Sequence, residues 1–235
     1  MRVIGQPPLP IFPSPRFAAV DFREAPSNAE ACAWLRRTSD WPDHRLALWG
    51  ESGRGKTHLL HIWAASSGAV HWSGPALRGL PEGLPEVGIA LDDADRVADE
   101  TDLLHLLNAA AEAALPVLLV ASSPPSRWPV RLPDLASRLR AIVSVEIGPP
   151  EDALLCALIA RLFTERQLRN LEPVQQWLLQ RLPRNAAVLG AAVHRLDTAS
   201  LARQRKITVS FAAEVLADLL TSDECSESDP IISKD

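Results

Sequence analysis

Residues 50–57 read Gly-Glu-Ser-Gly-Arg-Gly-Lys-Thr. Glycines at 50, 53 and 55 let a backbone curl so that its N–H groups point inward, Lys56 adds a positive charge, and Thr57 adds a hydroxyl. That set suits one task. It wraps the phosphates of a nucleotide, with Lys56 reaching the β- and γ-phosphates and Thr57 meeting a bridging Mg2+. A glycine turn that happens to precede Lys-Thr is the alternative, and the flanks weigh against it, because an apolar run precedes the motif and helical spacing follows it.

Three more positions have types that would serve such a site. Asp92-Asp93 closes the apolar run Val87-Gly-Ile-Ala-Leu91. Alone, the pair reads as solvated turn acids. One strand after a phosphate loop, Asp92 is assigned to the Mg2+ water shell and Asp93 to general base toward an attacking water. Ser122 follows the run 117–121, at the strand end where ligands of a parallel sheet gather. It reads equally as a γ-phosphate sensor and as a plain loop residue. Arg138 falls on a short helix before the last strand; taken alone it reads first as a solvated surface arginine, and second as an arginine finger reaching a nucleotide across a subunit interface.

The elements that must position these residues follow from hydrophobic patterning. Arg45-Leu-Ala-Leu-Trp49, 87–91, 117–121 and 141–145 are apolar runs without alternation, separated by helical patterns that include 58–65 and 102–114. Such runs imply a parallel sheet covered on both faces, an α/β three-layer architecture. An earlier helix over 27–37 is expected, capped by Ser27 or Asn28. After Gly148-Pro149-Pro150 only helical patterns remain, over 151–168, 173–181, 185–202 and 208–220, which predicts a small all-helical domain. The expected organisation is an extended arm (1–20), an α/β base (21–148), a helical lid (149–220) and an acidic disordered tail (221–235). The arm holds five prolines within residues 5–17 and fits neither a helix nor a central strand.

Composition sets limits. The 235 residues carry a formal net charge of −5, which excludes a general affinity for DNA phosphate. No apolar run reaches the roughly 20 residues that span a bilayer, and the start has no apolar leader, so no membrane association and a cytoplasmic location are expected. The three cysteines, Cys32, Cys156 and Cys225, are too scattered for a disulfide framework or a zinc site.

Together these pieces resemble the AAA+ ATPases, and within them the DnaA branch. Asp21-Phe22 with Pro26-Ser27-Asn28 is similar to the stretch that contacts adenine in the replication initiator DnaA, which implies a base-binding role for Asn28. Gly55-Lys-Thr-His-Leu-Leu-His61 is similar to that family's phosphate-loop helix. Leu132-Pro-Asp-Leu-Ala-Ser-Arg138 closely resembles the arginine-finger box of Hda-type proteins, the regulatory inactivators of DnaA, and residues 199–209 resemble the end of their lid. Hda-type proteins also begin with a short clamp-binding peptide. Gln6-Pro-Pro-Leu9-Pro10-Ile11 resembles it, with Gln6, Leu9 and Ile11 as anchors, although alone the segment reads as a proline-rich leader. The resemblance covers roughly residues 6–220.

What it implies is a regulator holding ADP or ATP with Mg2+. Its partners would be the replication sliding clamp and DnaA, with DNA reached indirectly through the clamp, and a homodimer is one assembly the family's interfacial sites imply. DnaA's own DNA-binding domain is not expected, because the chain ends soon after Leu220. One departure stands out. Related ATPases carry a lid arginine that reaches back to the phosphates; here the aligned position is Ala187, and the nearest arginine, Arg184, lies about one turn earlier. That puts robust hydrolysis by this chain in doubt. The alternative function is a helicase loader or DNA-handling motor, which would display a basic DNA-facing surface and DNA-stimulated turnover.

Overall fold

The computed structural model describes residues 22–79, 83–169 and 171–221. The arm with Gln6, Leu9, Pro10 and Ile11, residue Asp21 of the adenine-contact stretch, and the tail beyond residue 221 lie outside the described residues. Two compact units divide between Glu151 and Asp152.

In the α/β unit, strands β1 (Arg45–Trp49), β2 (Val70–Ser73), β3 (Ile89–Asp92), β4 (Val117–Ala121) and β5 (Val143–Glu146) form one parallel sheet in the order β2-β3-β4-β1-β5. Alternate residues of each strand face opposite ways, and both faces are covered. Ala47, Ile89, Leu91, Val117 and Leu119 pack with Leu103, Leu106 and Leu107 of α3 (Glu100–Glu112) and with Leu135 and Leu139 of α4 (Pro133–Ala141). Leu46, Leu48, Ala90, Leu118 and Val120 pack on the other side with Ala31 and Cys32 of α1 (Ala29–Leu35) and with Leu59, Leu60 and Trp63 of α2 (Lys56–Ser67). This double burial is why the central strands read as unbroken apolar runs.

β2 was not legible in that way. Val70, His71 and Ser73 are exposed and Trp72 only half-buried, because β2 is an edge strand paired to β3 alone. Neither expected cap of α1 forms. Asn28 occupies the N-cap position, but its Oδ1 accepts the Ala25 N–H (3.0 Å) and its Nδ2 donates to the Arg23 carbonyl (3.2 Å), so the amide serves the preceding turn. The Ser27 hydroxyl is drawn off by Glu151.

The helical unit contains α5 (Asp152–Glu165), α6 (Glu172–Arg181), α7 (Ala186–Arg203), α8 (Val209–Val215) and α9 (Ala217–Thr221) around a core that includes Leu155, Ile159, Leu178, Leu189, Leu196 and Phe211. The single helix expected over 208–220 is two, broken at Leu216, which is buried outside helical geometry. Asn185 caps α7 by accepting the Ala187 and Val188 N–H groups. Among the described residues no helix is long and apolar enough to cross a membrane.

One pH effect follows from α2. The His61 ring lies 4.6 Å from that of His71 on β2. Burial, and then the neighbouring His71, hold the His61 pKa below the ordinary histidine value. Below about pH 6.5 the unfolded chain therefore takes up a proton that the folded chain resists. Stability is complete above that pH and is lost as pH falls through the lowered folded value. The melting temperature should drop between about pH 7 and about pH 5, and His61→Leu should flatten part of that slope in thermal melts.

Candidate nucleotide site

The sheet order brings the assigned residues together. β4 lies between β3 and β1, so the C-terminal ends of three adjacent strands meet at one edge: Asp92 ends β3, Ser122 follows β4, and Gly50 follows β1. In register, Trp49 stands opposite Ala121 and Leu91 opposite Leu119.

The loop 50–55 departs from β1 with backbone that only glycine adopts easily. Gly50, Gly53 and Gly55 have φ of 153°, 79° and 90°. Gly50 is fixed twice over, since a Cβ there would lie 2.7 Å from the Ile147 carbonyl oxygen. Gly55 is the N-cap of α2, so the free N–H groups and positive dipole end of a twelve-residue helix open onto the loop. Thr57 is the second residue of that helix.

Lys56 donates through Nζ to the Glu51 carbonyl at 2.9 Å, which folds it along the loop. Burial pushes its ammonium below the usual lysine range, while Asp92, Asp93 and Asp95 pull it back up. Arg54 is held away from the loop interior. It pairs with Glu51 at 2.8 Å and Glu146 at 3.3 Å and donates to the Ile147 carbonyl at 3.0 Å.

Beyond β3 the chain turns sharply. Asp92 Oδ1 accepts the Asp93 N–H at 3.0 Å, and Asp93 sits in the left-handed region at φ 49°. The turn lies hard against Gly74, just past β2, where a Cβ would stand 2.2 Å from the Asp93 carbonyl oxygen. Gly74→Ala should therefore displace the Asp92-Asp93 turn, destabilise the fold by about 2 kcal/mol and weaken ADP binding. Thermal melts run beside a fluorescent-ADP titration check this; unchanged affinity would show that the turn takes no part in the site.

Sequence reasoning passed over Asp95, which lies in the next turn. Its Oδ2 accepts the Ser122 N–H at 2.9 Å and also the Ser122 hydroxyl. Sequence reasoning also passed over Glu100, whose carboxylate accepts the N–H groups of Arg131 and Leu132 at 2.8–2.9 Å and so anchors the entry to α4. An acid three residues after a strand end carries no signal until the strand beside it is known, and the same holds for an acid that starts a helix.

The N-terminal stretch is fastened near this edge. Ser27 accepts the Gly148 N–H at 2.9 Å, and its own N–H and hydroxyl donate to Glu151 at 2.7 and 3.0 Å. Asn28, to which the resemblance gives a base-binding role, is buried; its amide oxygen accepts the Ala25 N–H and its amide nitrogen donates one hydrogen to the Arg23 carbonyl.

Of the two assigned arginines, one lies in each unit. Arg184 precedes α7 and pairs with Asp152 of the same helical unit at 2.9 Å; Ala187 lies in the first turn of α7. Arg138 is in the last turn of α4, which ends at Ala141, just before β5 begins opposite Leu46. That is the starting edge of the sheet, whereas the phosphate loop leaves the finishing edge. The length of β1 separates them, roughly 13 Å at about 3.3 Å per residue. Arg138 is half-buried, and among the described residues it has no acidic partner. Arg138 acts on Arg45, a buried arginine whose guanidinium pKa is held down by burial first and by Arg138 second.

A five-stranded parallel sheet in this order with a glycine-rich loop after β1, followed by a helical unit, is the AAA+ fold of an α/β base and a helical lid. Within the helical unit, residues 154–216 match the family model of the Hda lid domain. The fold is similar to domain III of the replication initiation protein DnaA from Thermotoga maritima, at TM-score 0.73 and 16% identity over 88% of this chain and 98% of that one. It is also similar to AMPPCP-bound DnaA from Aquifex aeolicus, at TM-score 0.62 and 16% identity over 78% of this chain and 65% of that one. A third similar structure is RuvB of Thermotoga maritima, at TM-score 0.60 and 20% identity over 82% and 67%.

Proposed function

We propose that this chain is a nucleotide-bound regulator of chromosome replication initiation. Held on the DNA-loaded sliding clamp by Gln6, Leu9, Pro10 and Ile11, it offers Arg138 to the nucleotide of DnaA, promotes hydrolysis there and switches the initiator off. The observation that carries this reading is the place of Arg138. It stands at the opposite sheet edge from the chain's own phosphate loop, and among the described residues no carboxylate takes up its charge. An arginine so placed is of no use to its own site and is suited to a partner's. The Hda-type lid supports the same partner.

The phosphate loop suits ADP or ATP with Mg2+. Its glycine cradle and the N-terminus of α2 fit phosphate, Lys56 balances the charge, and Thr57 with Asp92 would hold the ion. Bound there, Mg2+ supplies charge neutralisation to the phosphates. In this reading the nucleotide mainly sets conformation. Asp93 is the candidate base, and the lid position that should carry an arginine holds Ala187, so any turnover by this chain is slow.

The clamp contact has its own test. Gln6→Ala with Leu9→Ala removes an amide anchor and an apolar anchor from a proline-stiffened peptide. Pull-down on the clamp should then fail while ADP affinity is unchanged. Full retention on the clamp would exclude this peptide as the attachment point.

A further inference from the structure

Ser122 is the candidate γ-phosphate sensor of the nucleotide site proposed above, and the inference rests on that reading. A hydroxyl has one proton to give and two lone pairs to receive. Here Ser122 spends its proton on Asp95 Oδ2, and its backbone N–H goes to the same oxygen at 2.9 Å. The contact is made at the site, since Asp95, with Asp92 and Asp93, acts on the charge of Lys56. The second oxygen, Asp95 Oδ1, is buried and has no hydrogen-bond partner. Asp95 therefore has no competing donor to draw it away from Ser122.

We infer that Asp95 is a specificity-determining residue of the nucleotide site, and that it acts by holding the Ser122 proton away from a third phosphate. With that proton engaged, Ser122 Oγ turns only lone pairs toward the site, and these repel phosphate oxygens. Two backbone-fixed features make the arrangement hard to reverse. Ser122 directly follows the fully buried β4, and Asp95 lies in the short turn 94–96 that follows the Asp93 bend. No second cation compensates in the loop, because Arg54 is occupied by Glu51 and Glu146. A diphosphate does not meet this obstacle. Asp95 touches no phosphate itself; it works through Ser122.

The test titrates the full chain with ADP and with AMPPCP, a triphosphate analogue that is not hydrolysed. Wild type should bind ADP more tightly. Asp95→Ala removes the acceptor, which frees the hydroxyl proton for phosphate, and should tighten AMPPCP binding about tenfold with ADP affinity held within about twofold. Asp95→Glu keeps a charged acceptor and should retain the wild-type ratio. Adding Ser122→Ala to Asp95→Ala should cancel the gain, since the donor is gone. A purely structural role would shift both nucleotides by one factor, with Ala and Glu alike; that result, or an Asp95→Ala variant with an unchanged ratio, overturns the inference. If wild type binds neither nucleotide, the nucleotide reading itself fails and the inference fails with it. If wild type binds both and the ratio does not respond to Asp95, only the inference fails.

Discussion

Replacing Arg138 with alanine is expected to cut the stimulation of DnaA hydrolysis by about a thousandfold, the scale of a lost arginine finger. The chain's own melting temperature and its retention on the clamp should not fall. The structure gives a reason for the second half. Arg138 has no acidic partner among the described residues, and its charge opposes that of buried Arg45. Truncation removes a repulsion and no favourable pairing, so the fold should be unchanged or slightly more stable. Arg138→Lys keeps the charge and loses the planar fork, and it should rescue little. Phosphate release measured with DnaA and the loaded clamp reads the first half, and a thermal melt reads the second. A fully active Arg138→Ala would remove the finger from the account.

The second large effect is expected at Gly50. An added Cβ would lie 2.7 Å from the Ile147 carbonyl oxygen and 3.3 Å from Arg54 Cδ, on backbone with φ 153°. The Ile147 carbonyl cannot yield cheaply. Its own residue's N–H donates to the Trp49 carbonyl at 2.8 Å, and Arg54 donates to the carbonyl itself. Gly50→Ala should therefore destabilise the fold by about 2 kcal/mol or more and abolish measurable ADP binding, because the loop must leave β1 along a different path. Calorimetric titration with ADP beside a thermal melt checks both. Wild-type affinity in this variant would show that the loop does not need its observed course.

What the sequence disclosed tracks how local each signal is. The phosphate loop was legible because its chemistry needs three glycines and Lys-Thr at fixed spacing on one segment. β1, β3 and β4 were legible because both their faces are buried and their runs are unbroken, whereas the edge strand β5 showed itself only by Ile142-Val143 and Val145 around an exposed Ser144. β2 was hidden because Val-His-Trp-Ser has no apolar run, and its apolar–polar alternation is of the shortest length that signals a strand. Asp95 and Gly74 were hidden for another reason. Asp95 matters only beside Ser122, and Gly74 only beside the Asp93 carbonyl, so both depend on which strands become neighbours. Asn28 does not cap α1 as expected, because composition cannot tell which of several nearby N–H groups an amide will take. Here the Ala25 N–H took it.

The most direct test of the account is a single hydrolysis measurement with DnaA carrying labelled ATP. This chain, the clamp on DNA and DnaA are combined, and each component is also left out in turn. The account predicts rapid conversion of DnaA-bound ATP to ADP only when all are present, with negligible turnover by this chain alone on DNA. Strong DNA-stimulated hydrolysis by this chain alone, with DnaA's nucleotide unaffected, would contradict it and indicate a motor that handles DNA directly.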